Sequence, residues 1–260
     1  KENSISLYRN NQIILLKPDP KGKNNKPVAF TATVKENGDI GKPKISKEEV
    51  NEMPVVLFDG IITLVDEPSM VPAAIEELRK ADIVGVDTET KPSFTRGTRH
   101  KISLVQISTL DHCYLFRLNK TGFPLELAQF LADEKILKIG LALRDDFSGL
   151  NKLLPFKPAN FIDLQSIVNS YGILEMGLQK IFAIVFGRKI SKAQRLTNWE
   201  SPELTEQQQR YAATDAWASM LIYVQLLREK KLTKKQIEKL ILEVNAGINS
   251  DNAQNTPVVS

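Results

Sequence analysis

Short apolar runs fill the first half of the central part of this chain, and helical periodicity prevails in its second half. Runs with the β-branched and apolar composition of strands occupy 61–65 (IITLV), 82–88 (DIVGVDT), 102–107 (ISLVQI), 113–117 (CYLFR) and 136–142 (ILKIGLA). A helical segment at 72–81 (PAAIEELRKA) interrupts them, and helical patterns dominate from Arg144 onward. The pattern predicts an α/β fold in which a central mixed β-sheet is flanked by helices.

The N-terminal part is more polar than this central part. Residues 1–55 contain the stretches KPDPKGKNNKP and KENGDIGKPK on either side of one short apolar run, VAFTATV. We predict an accessory, partly ordered segment over 1–55. Because an Asn-Gly pair suits a two-residue hairpin turn, we predict a hairpin that turns at Asn37-Gly38.

The other boundaries follow from similar changes in composition. The main domain is predicted over 56–230, and residues 231–260 are predicted to form a C-terminal helix and a tail. The part after Gly247 is rich in polar residues and is predicted to be disordered.

The composition is that of an ordinary globular chain, with 42% hydrophobic and 25% charged residues. No apolar run approaches the roughly 20 residues that span a bilayer, so we expect no membrane association. Cys113 is the only cysteine, which excludes an intrachain disulfide and suits a reducing interior. We therefore expect an intracellular protein, cytoplasmic if its source is bacterial and compatible with the nucleus if its source is eukaryotic.

The net charge is small, +4 at pH 7 from 35 basic and 31 acidic side chains. This balance fits a nucleic-acid enzyme with a local basic rim better than a protein that coats nucleic acid.

Two acidic residues end the most apolar strand-like run. In VGVDTET, Asp87 and Glu89 alternate along a strand and so share one face, while Val84 and Val86 occupy the other. Such a pair taken alone is most simply a solvated strand end. It follows the run IVGV, however, where a buried charge would be costly without a counter-ion.

A second constellation lies on a predicted helix, LTEQQQRYAATDAWASMLIYVQLL. Thr205 is its predicted N-cap, and Gln208 completes a capping box. Tyr211 and Asp215 lie four residues apart and therefore share one helical face. Taken alone, the tyrosine would pack in the core and the aspartate would face water.

A third acidic segment, LALRDDF, offers adjacent aspartates, Asp145 and Asp146. Successive helical residues point about 100° apart, so only one of the two can join the other acids. Together, the three segments predict a carboxylate cage for two divalent metal ions. Magnesium or manganese is favoured over zinc, because these segments supply oxygen ligands and contain no cysteine or histidine.

These segments, in this order, resemble the DEDDy branch of the 3'-5' exonucleases, which includes ribonuclease D, polymerase proofreading domains and the exonuclease domain of the Werner syndrome helicase. The resemblance runs from about Ile61 to about Leu227. It is carried by DTETKPSFTRGTRHKISLVQIS, KIGLALRDDFSGL and LTNWESPELTEQQQRYAATDAWASMLIY. The branch with a catalytic histidine is disfavoured, since Arg210 stands five residues before Asp215. The resemblance implies a ribonuclease H-like fold.

The resemblance also implies roles for individual residues. Alignment of Gly140 on the family motif places the functional aspartate at Asp146, which leaves Asp145 as an exposed first-turn acid. Four acids would hold two Mg²⁺ or Mn²⁺ ions: Asp87 would bridge both, Glu89 and Asp215 would hold the ion that activates water, and Asp146 would support the second through water. Tyr211 would orient the attacking water, and these five residues form the predicted catalytic set.

Two basic stretches are candidates for contact with nucleic acid. KPSFTRGTRHK contributes Phe94, Arg96, Arg99 and Lys101, and GRKISKAQRLTNW contributes Arg188, Lys192 and Arg195. The first stretch fits a solvated turn equally well, and Phe94 could stack on a base or plug the core. Trp199 is expected to be structural, and Asp163 is expected to be only a helix N-cap.

The expected function is a metal-dependent 3'-5' exonuclease that acts on DNA 3' ends and releases nucleoside 5'-monophosphates. One alternative is a ribonuclease D-like enzyme that trims RNA 3' ends. Another is a catalytically inactive nucleic-acid-binding module. A helicase or polymerase partner is compatible with nuclease activity.

Overall fold

The computed structural model describes residues 13–17, 28–32, 42–93 and 100–254 of the chain. The strands are β1 (Ile13–Lys17), β2 (Val28–Ala32), β3 (Val55–Val56), β4 (Ile61–Val65), β5 (Ile83–Thr90), β6 (Ile102–Ser108), β7 (His112–Arg117), β8 (Leu137–Gly140), β9 (Phe161–Asp163) and β10 (Lys189–Ile190). The α-helices are α1 (Lys47–Glu52), α2 (Val71–Leu78), α3 (Leu118–Thr121), α4 (Leu125–Leu131), α5 (Leu143–Asn151), α6 (Leu164–Ile167), α7 (Leu178–Phe186), α8 (Glu206–Leu226) and α9 (Lys234–Gln254). Short 3-10 turns lie at Pro68–Met70 and Val168–Tyr171.

A central sheet of six strands has the order β4-β7-β6-β5-β8-β9. Strand β6 runs antiparallel to β5 and β7, whereas the other neighbouring strands are parallel. The predicted mixed sheet is confirmed, and the five predicted strand-like runs correspond to β4–β8. The last run ends earlier than predicted, because Ala142 has a left-handed backbone (φ 60°) and α5 begins at the next residue.

Helices cover both faces of the sheet. On one face, α8 packs against β5, β6, β7 and β8, and its core includes Leu104, Leu115 and Trp217. On the other face, side chains of α2, α4 and α5 pack with Val84 and Val86. Helix α8 is buried on every side from 211 to 222, which places its polar residues inside the protein.

The N-terminal residues form two described pieces. Strands β1 and β2 pair antiparallel. The turn predicted at Asn37-Gly38 does not join this pair and lies outside the described residues. Helix α1 packs on α7 through Ile45, Val50 and Ala183, so this part of the predicted accessory segment belongs to the packed protein.

The C-terminal helix α9 continues through Gly247 and ends at Gln254. The predicted start of the disordered tail therefore lies inside a helix, since an isolated glycine costs a helix only about 1 kcal/mol. Residues 255–260 lie outside the described part. None of the helices in the described residues is long and apolar enough to cross a membrane.

Candidate active site

Strand β5 presents the first pair of acids toward α8. In the antiparallel register, Asp87 lies opposite Gln106 and Glu89 lies opposite Leu104, which belongs to the core on the α8 side. The predicted alternation is confirmed, because Val84 and Val86 are buried in the core on the opposite face.

Helix α8 comes unusually close to β5, and Gly85 permits this. A methyl group at Gly85 would lie 1.9 Å from the backbone carbonyl oxygen of Ala216, so no side chain fits at this position. Asp215 precedes Ala216 on α8, and the close approach therefore brings Asp215 beside Asp87.

The start of α8 is set by its own sequence. The Thr205 hydroxyl accepts a hydrogen bond from the backbone N–H of Gln208, and the Gln208 side chain accepts one from the Thr205 N–H. This confirms the predicted capping box. Arg117, fully buried on β7, donates to the backbone carbonyls of Ser201 and Pro202 and so ties the segment before α8 to the sheet.

Three carboxylates converge where β5 and α8 meet. One oxygen each from Asp87, Glu89 and Asp215 lie within 4.8 Å of one another. Burial, followed by the charges of Asp215, Asp146 and Glu89, raises the pKa of Asp87 well above its ordinary value. Such a group of buried acids is costly unless protons or cations neutralise it.

The pKa values of the two neighbouring acids are also raised. Burial, then the charges of Asp215 and Asp146, raise the pKa of Glu89 to about 9, and Arg195 opposes the shift. Burial raises the pKa of Asp215 to about 7, against the opposing effects of a Tyr211 hydrogen bond and the charge of Lys192. The oxygen donors of these acids fit a hard divalent cation such as Mg²⁺ or Mn²⁺, which would remove the repulsion.

Asp146 lies beside this group, held by the strand that carries the first pair. The Thr88 hydroxyl donates to Asp146 Oδ1 at 2.7 Å. Burial raises the pKa of Asp146 to about 6, against the effect of this hydrogen bond. Asp145 is exposed, so Asp146 is the member of the pair that faces the other acids.

Asp163 holds the backbone turn that presents Asp146. Its carboxylate accepts hydrogen bonds from the N–H of Ala142 at 3.0 Å and from the N–H of Gln165 at 3.0 Å. The second bond confirms the predicted N-cap. The first stabilises Ala142 in its left-handed conformation, from which α5 carries Asp146 toward β5.

Tyr211 is buried at the edge of the acid group. Burial, then the charges of Asp215 and Glu89, raise the pKa of its phenol above the ordinary value, so the phenol stays protonated at neutral pH. It donates a hydrogen bond to Asp215. The fully buried ring of Trp199 lies 6.0 Å from the Tyr211 ring, which agrees with a structural role for this tryptophan.

The predicted basic residues differ in their exposure to solvent, and some of them lie outside the described residues. Lys192 and Arg195 are exposed, and both lie close enough to the acids for their charges to act on Asp215 and Glu89, respectively. Arg188 is half-buried, and Lys101 is exposed just before β6. Phe94, Arg96 and Arg99 lie outside the described residues.

Sequence reasoning missed two polar residues at the site. Thr88 orients Asp146, as described above. The amide of Gln106 is fully buried opposite Asp87, and neither its oxygen nor its nitrogen has a hydrogen-bond partner in the described structure. A glutamine inside the apolar run ISLVQI was the available signal, but the strand register was needed to place it.

Comparison with known proteins agrees with this geometry. The bifunctional 3'-5' exonuclease/ATP-dependent helicase WRN of Mus musculus is 29% identical over 215 residues, which cover 77% of this chain and 15% of that protein. A 3'-5' exonuclease of Arabidopsis thaliana is 28% identical over 178 residues, covering 65% of this chain and 62% of the relative. The chain thus spans less than two thirds of these relatives.

The crystal structure of Escherichia coli RNase D, an exoribonuclease, superimposes with a TM-score of 0.58 and 24% identity. The superposition covers 64% of this chain and 44% of the bacterial enzyme, and it agrees with the expected ribonuclease H-like fold. A family model described as a 3'-5' exonuclease matches residues 62–231, the part that carries all the acids above. This chain therefore belongs to the 3'-5' exonuclease family.

Proposed function

We propose that this chain is a two-metal-ion 3'-5' exonuclease that removes nucleoside 5'-monophosphates from the 3' ends of DNA. The observation that carries the proposal is the convergence of Asp87, Glu89 and Asp215 within 4.8 Å, beside Asp146 and Tyr211. The exonuclease unit is proposed to span 56–230, which encloses nearly all of the matched region.

Each acid would have a distinct part in holding two Mg²⁺ or Mn²⁺ ions. When bound, two such ions supply an activated water and stabilise charge on the leaving oxygen. Asp87 is the acid whose pKa responds to all three others, which suits a bridging ligand. Glu89 and Asp215 would hold one ion with it, and Asp146, aligned by the Thr88 hydroxyl, would support the second.

Tyr211 acts as a hydrogen-bond donor and positions the attacking water. Its phenol remains protonated because of burial and the surrounding carboxylates, so it does not act as a general base at neutral pH. The ring of Trp199 packs beside the ring of Tyr211. Replacement of Tyr211 should therefore slow the chemical step more than it weakens substrate binding.

Lys192 and Arg195 are proposed to receive the phosphates next to the scissile bond. Both are exposed and adjoin the acids, so they can neutralise a phosphodiester that approaches an otherwise negative site. Phe94, Arg96, Arg99, Lys101 and Arg188 remain candidates for the same task.

The choice of DNA rests on greater likeness to the helicase-linked exonuclease than to the bacterial ribonuclease. The test is digestion of a 5'-labelled, 3'-recessed DNA duplex and a matched RNA single strand with Mg²⁺, Mn²⁺ or chelator. We expect a metal-dependent DNA ladder that shortens from the 3' end. Equal or faster shortening of RNA would assign the ribonuclease D-like function instead.

The matched variant is Asp87→Ala, which should abolish cleavage in either metal because no other described carboxylate can replace the bridging one. Near-normal cleavage by this variant would contradict the assigned site. No cleavage of either substrate by the native chain would favour the nucleic-acid-binding module.

A further inference from the structure

A cleft of about 640 Å³ lies between α1, α7 and β10. Its polar lining consists mainly of lysines and amides: Lys47, Asn51, Gln179, Lys180, Lys189 and Lys192. Val50, Val55 and Ile190 add an apolar part. The volume falls within the range of about 300 to 1,000 Å³ that is usual for ligand sites.

The cleft is strongly basic. Its described lining includes four lysines and no carboxylate. Lys180 is paired with Glu175 at 3.0 Å, and the Lys189 ammonium donates to the backbone carbonyl of Asn51. Lys47 and Lys192 are exposed, and neither forms an ion pair with an acid in the part of the chain that the structure describes. These two ammonium groups are available to an anionic ligand.

The wall formed by α1 is anchored to the rest of the protein. The Ile45 N–H donates to Glu175 Oε1 at 3.2 Å, and the Leu174 N–H donates to the Pro43 carbonyl at 2.8 Å. Val50 is buried in the small core that α1 shares with α7. Lys47 is therefore presented from a fixed surface.

One continuous segment leads from the cleft to the acid group. It begins at Ile190, whose carbonyl accepts a hydrogen bond from the Gln179 amide at 2.7 Å. Lys192 and Arg195 follow on this segment, and it reaches Trp199, which packs on Tyr211. A strand bound at the acids can thus follow a line of cations into the cleft.

We propose that this cleft binds the phosphodiester backbone of the substrate strand on the 5' side of the scissile bond, with Lys47 of α1 as a phosphate contact. The proposal rests on the proposed exonuclease function and extends its substrate track to the N-terminal segment. A positively charged groove that follows the phosphate backbone is one of the usual means of holding single strands without sequence preference.

The experiment measures binding of 5'-fluorescently labelled single-stranded DNA to the full chain by anisotropy in chelator, across a range of salt concentrations. A plot of the logarithm of the association constant against the logarithm of the salt concentration has a negative slope, and loss of one phosphate contact reduces its magnitude by about 0.7. This corresponds to about fivefold weaker binding at about 0.1 M salt. We expect Lys47→Ala to show this loss with strands of about 12 nucleotides and little loss with strands of about 3 nucleotides, which are too short to fill a single-strand groove.

Two variants serve as controls, and each must keep the native thermal midpoint. Lys44→Ala removes an exposed lysine of the same segment that does not line the cleft, and it should keep the native slope. Lys47→Arg keeps the charge and should restore binding. An equal loss in the Lys44 and Lys47 variants, or native binding by Lys47→Ala, would overturn the proposal.

Titration with a nucleoside 5'-monophosphate distinguishes a site for the phosphates of the substrate strand from a site for the phosphate of the released mononucleotide. If Lys47→Ala weakens binding of the mononucleotide but not of the long strand, the cleft is a product site and the proposal is wrong. Since binding is measured in chelator, cleavage is scored separately. Lys47-dependent binding by a chain that cleaves nothing would support the cleft and refute the exonuclease function.

Discussion

Gly85→Ala is predicted to separate the two elements that build the acid group. The added methyl carbon would lie 1.9 Å from the Ala216 carbonyl oxygen, and real contacts of this kind are not shorter than 3.0 Å. Helix α8 or strand β5 must therefore move by at least 1.1 Å, the difference between these distances. Asp215 moves with α8, whereas Asp87 stays with β5.

A displacement of this size exceeds the tolerance of metal coordination, which is about 0.2 Å in ligand distance. Misplacement by about 1 Å can cost about a hundredfold in rate. We expect at least this loss in single-turnover cleavage, together with a higher Mg²⁺ or Mn²⁺ concentration for half-maximal rate. The thermal midpoint should also fall, because the contact lies in the core.

The matched control is Gly177→Ala, because a methyl group there meets no atom within 4 Å and the backbone is not left-handed. It should keep nearly native cleavage and metal dependence. A native rate and native metal dependence in Gly85→Ala would refute the argument that this close approach positions Asp215.

Three further changes test other parts of the site. The pKa of Asp215 rises from 3.8 to about 7 on folding, so the free energy of unfolding without metal should fall as pH rises through this interval. Asp215→Asn should reduce this fall in thermal melts, and an unchanged dependence of the melting temperature on pH would contradict the burial of Asp215. Tyr211→Phe should lower single-turnover cleavage by about 10- to 100-fold, the value of a hydrogen bond to a charged group, and leave DNA affinity in chelator nearly native; a large loss of affinity would contradict the positioning role. Asp163→Ala should lower the free energy of unfolding by about 2 kcal/mol through loss of its bonds to Ala142 and Gln165, and should reduce cleavage; native denaturant midpoints would show that these bonds are dispensable.

Much of the site could be predicted from the local periodicity of the sequence. The alternation of a strand places Asp87 and Glu89 on one face, and the turn of a helix places Tyr211 and Asp215 together. The capping box at Thr205 could also be predicted, because its two residues lie three positions apart in the sequence. These relations need no knowledge of the rest of the chain.

Contacts between distant segments decided the remainder. The approach of α8 to β5 depends on Gly85 meeting Ala216, and the turn before α5 depends on Asp163 bonding to Ala142. Neither contact has a periodic signal, since each joins residues whose separation is set by the packing of whole elements. The same holds for Lys47, because only the packing of α1 on α7 places this exposed lysine at the cleft.

The sequence by itself therefore determined the class of fold, the candidate acids and which of them share an element. Resemblance to the family motif selected Asp146 over Asp145, and the exposure of Asp145 agrees with that choice. Only the tertiary structure decided that the acids meet and that an N-terminal helix adds Lys47 to the basic cleft. The physical reason is that spacing along one element is governed by backbone geometry, whereas convergence of elements is governed by packing across the sheet.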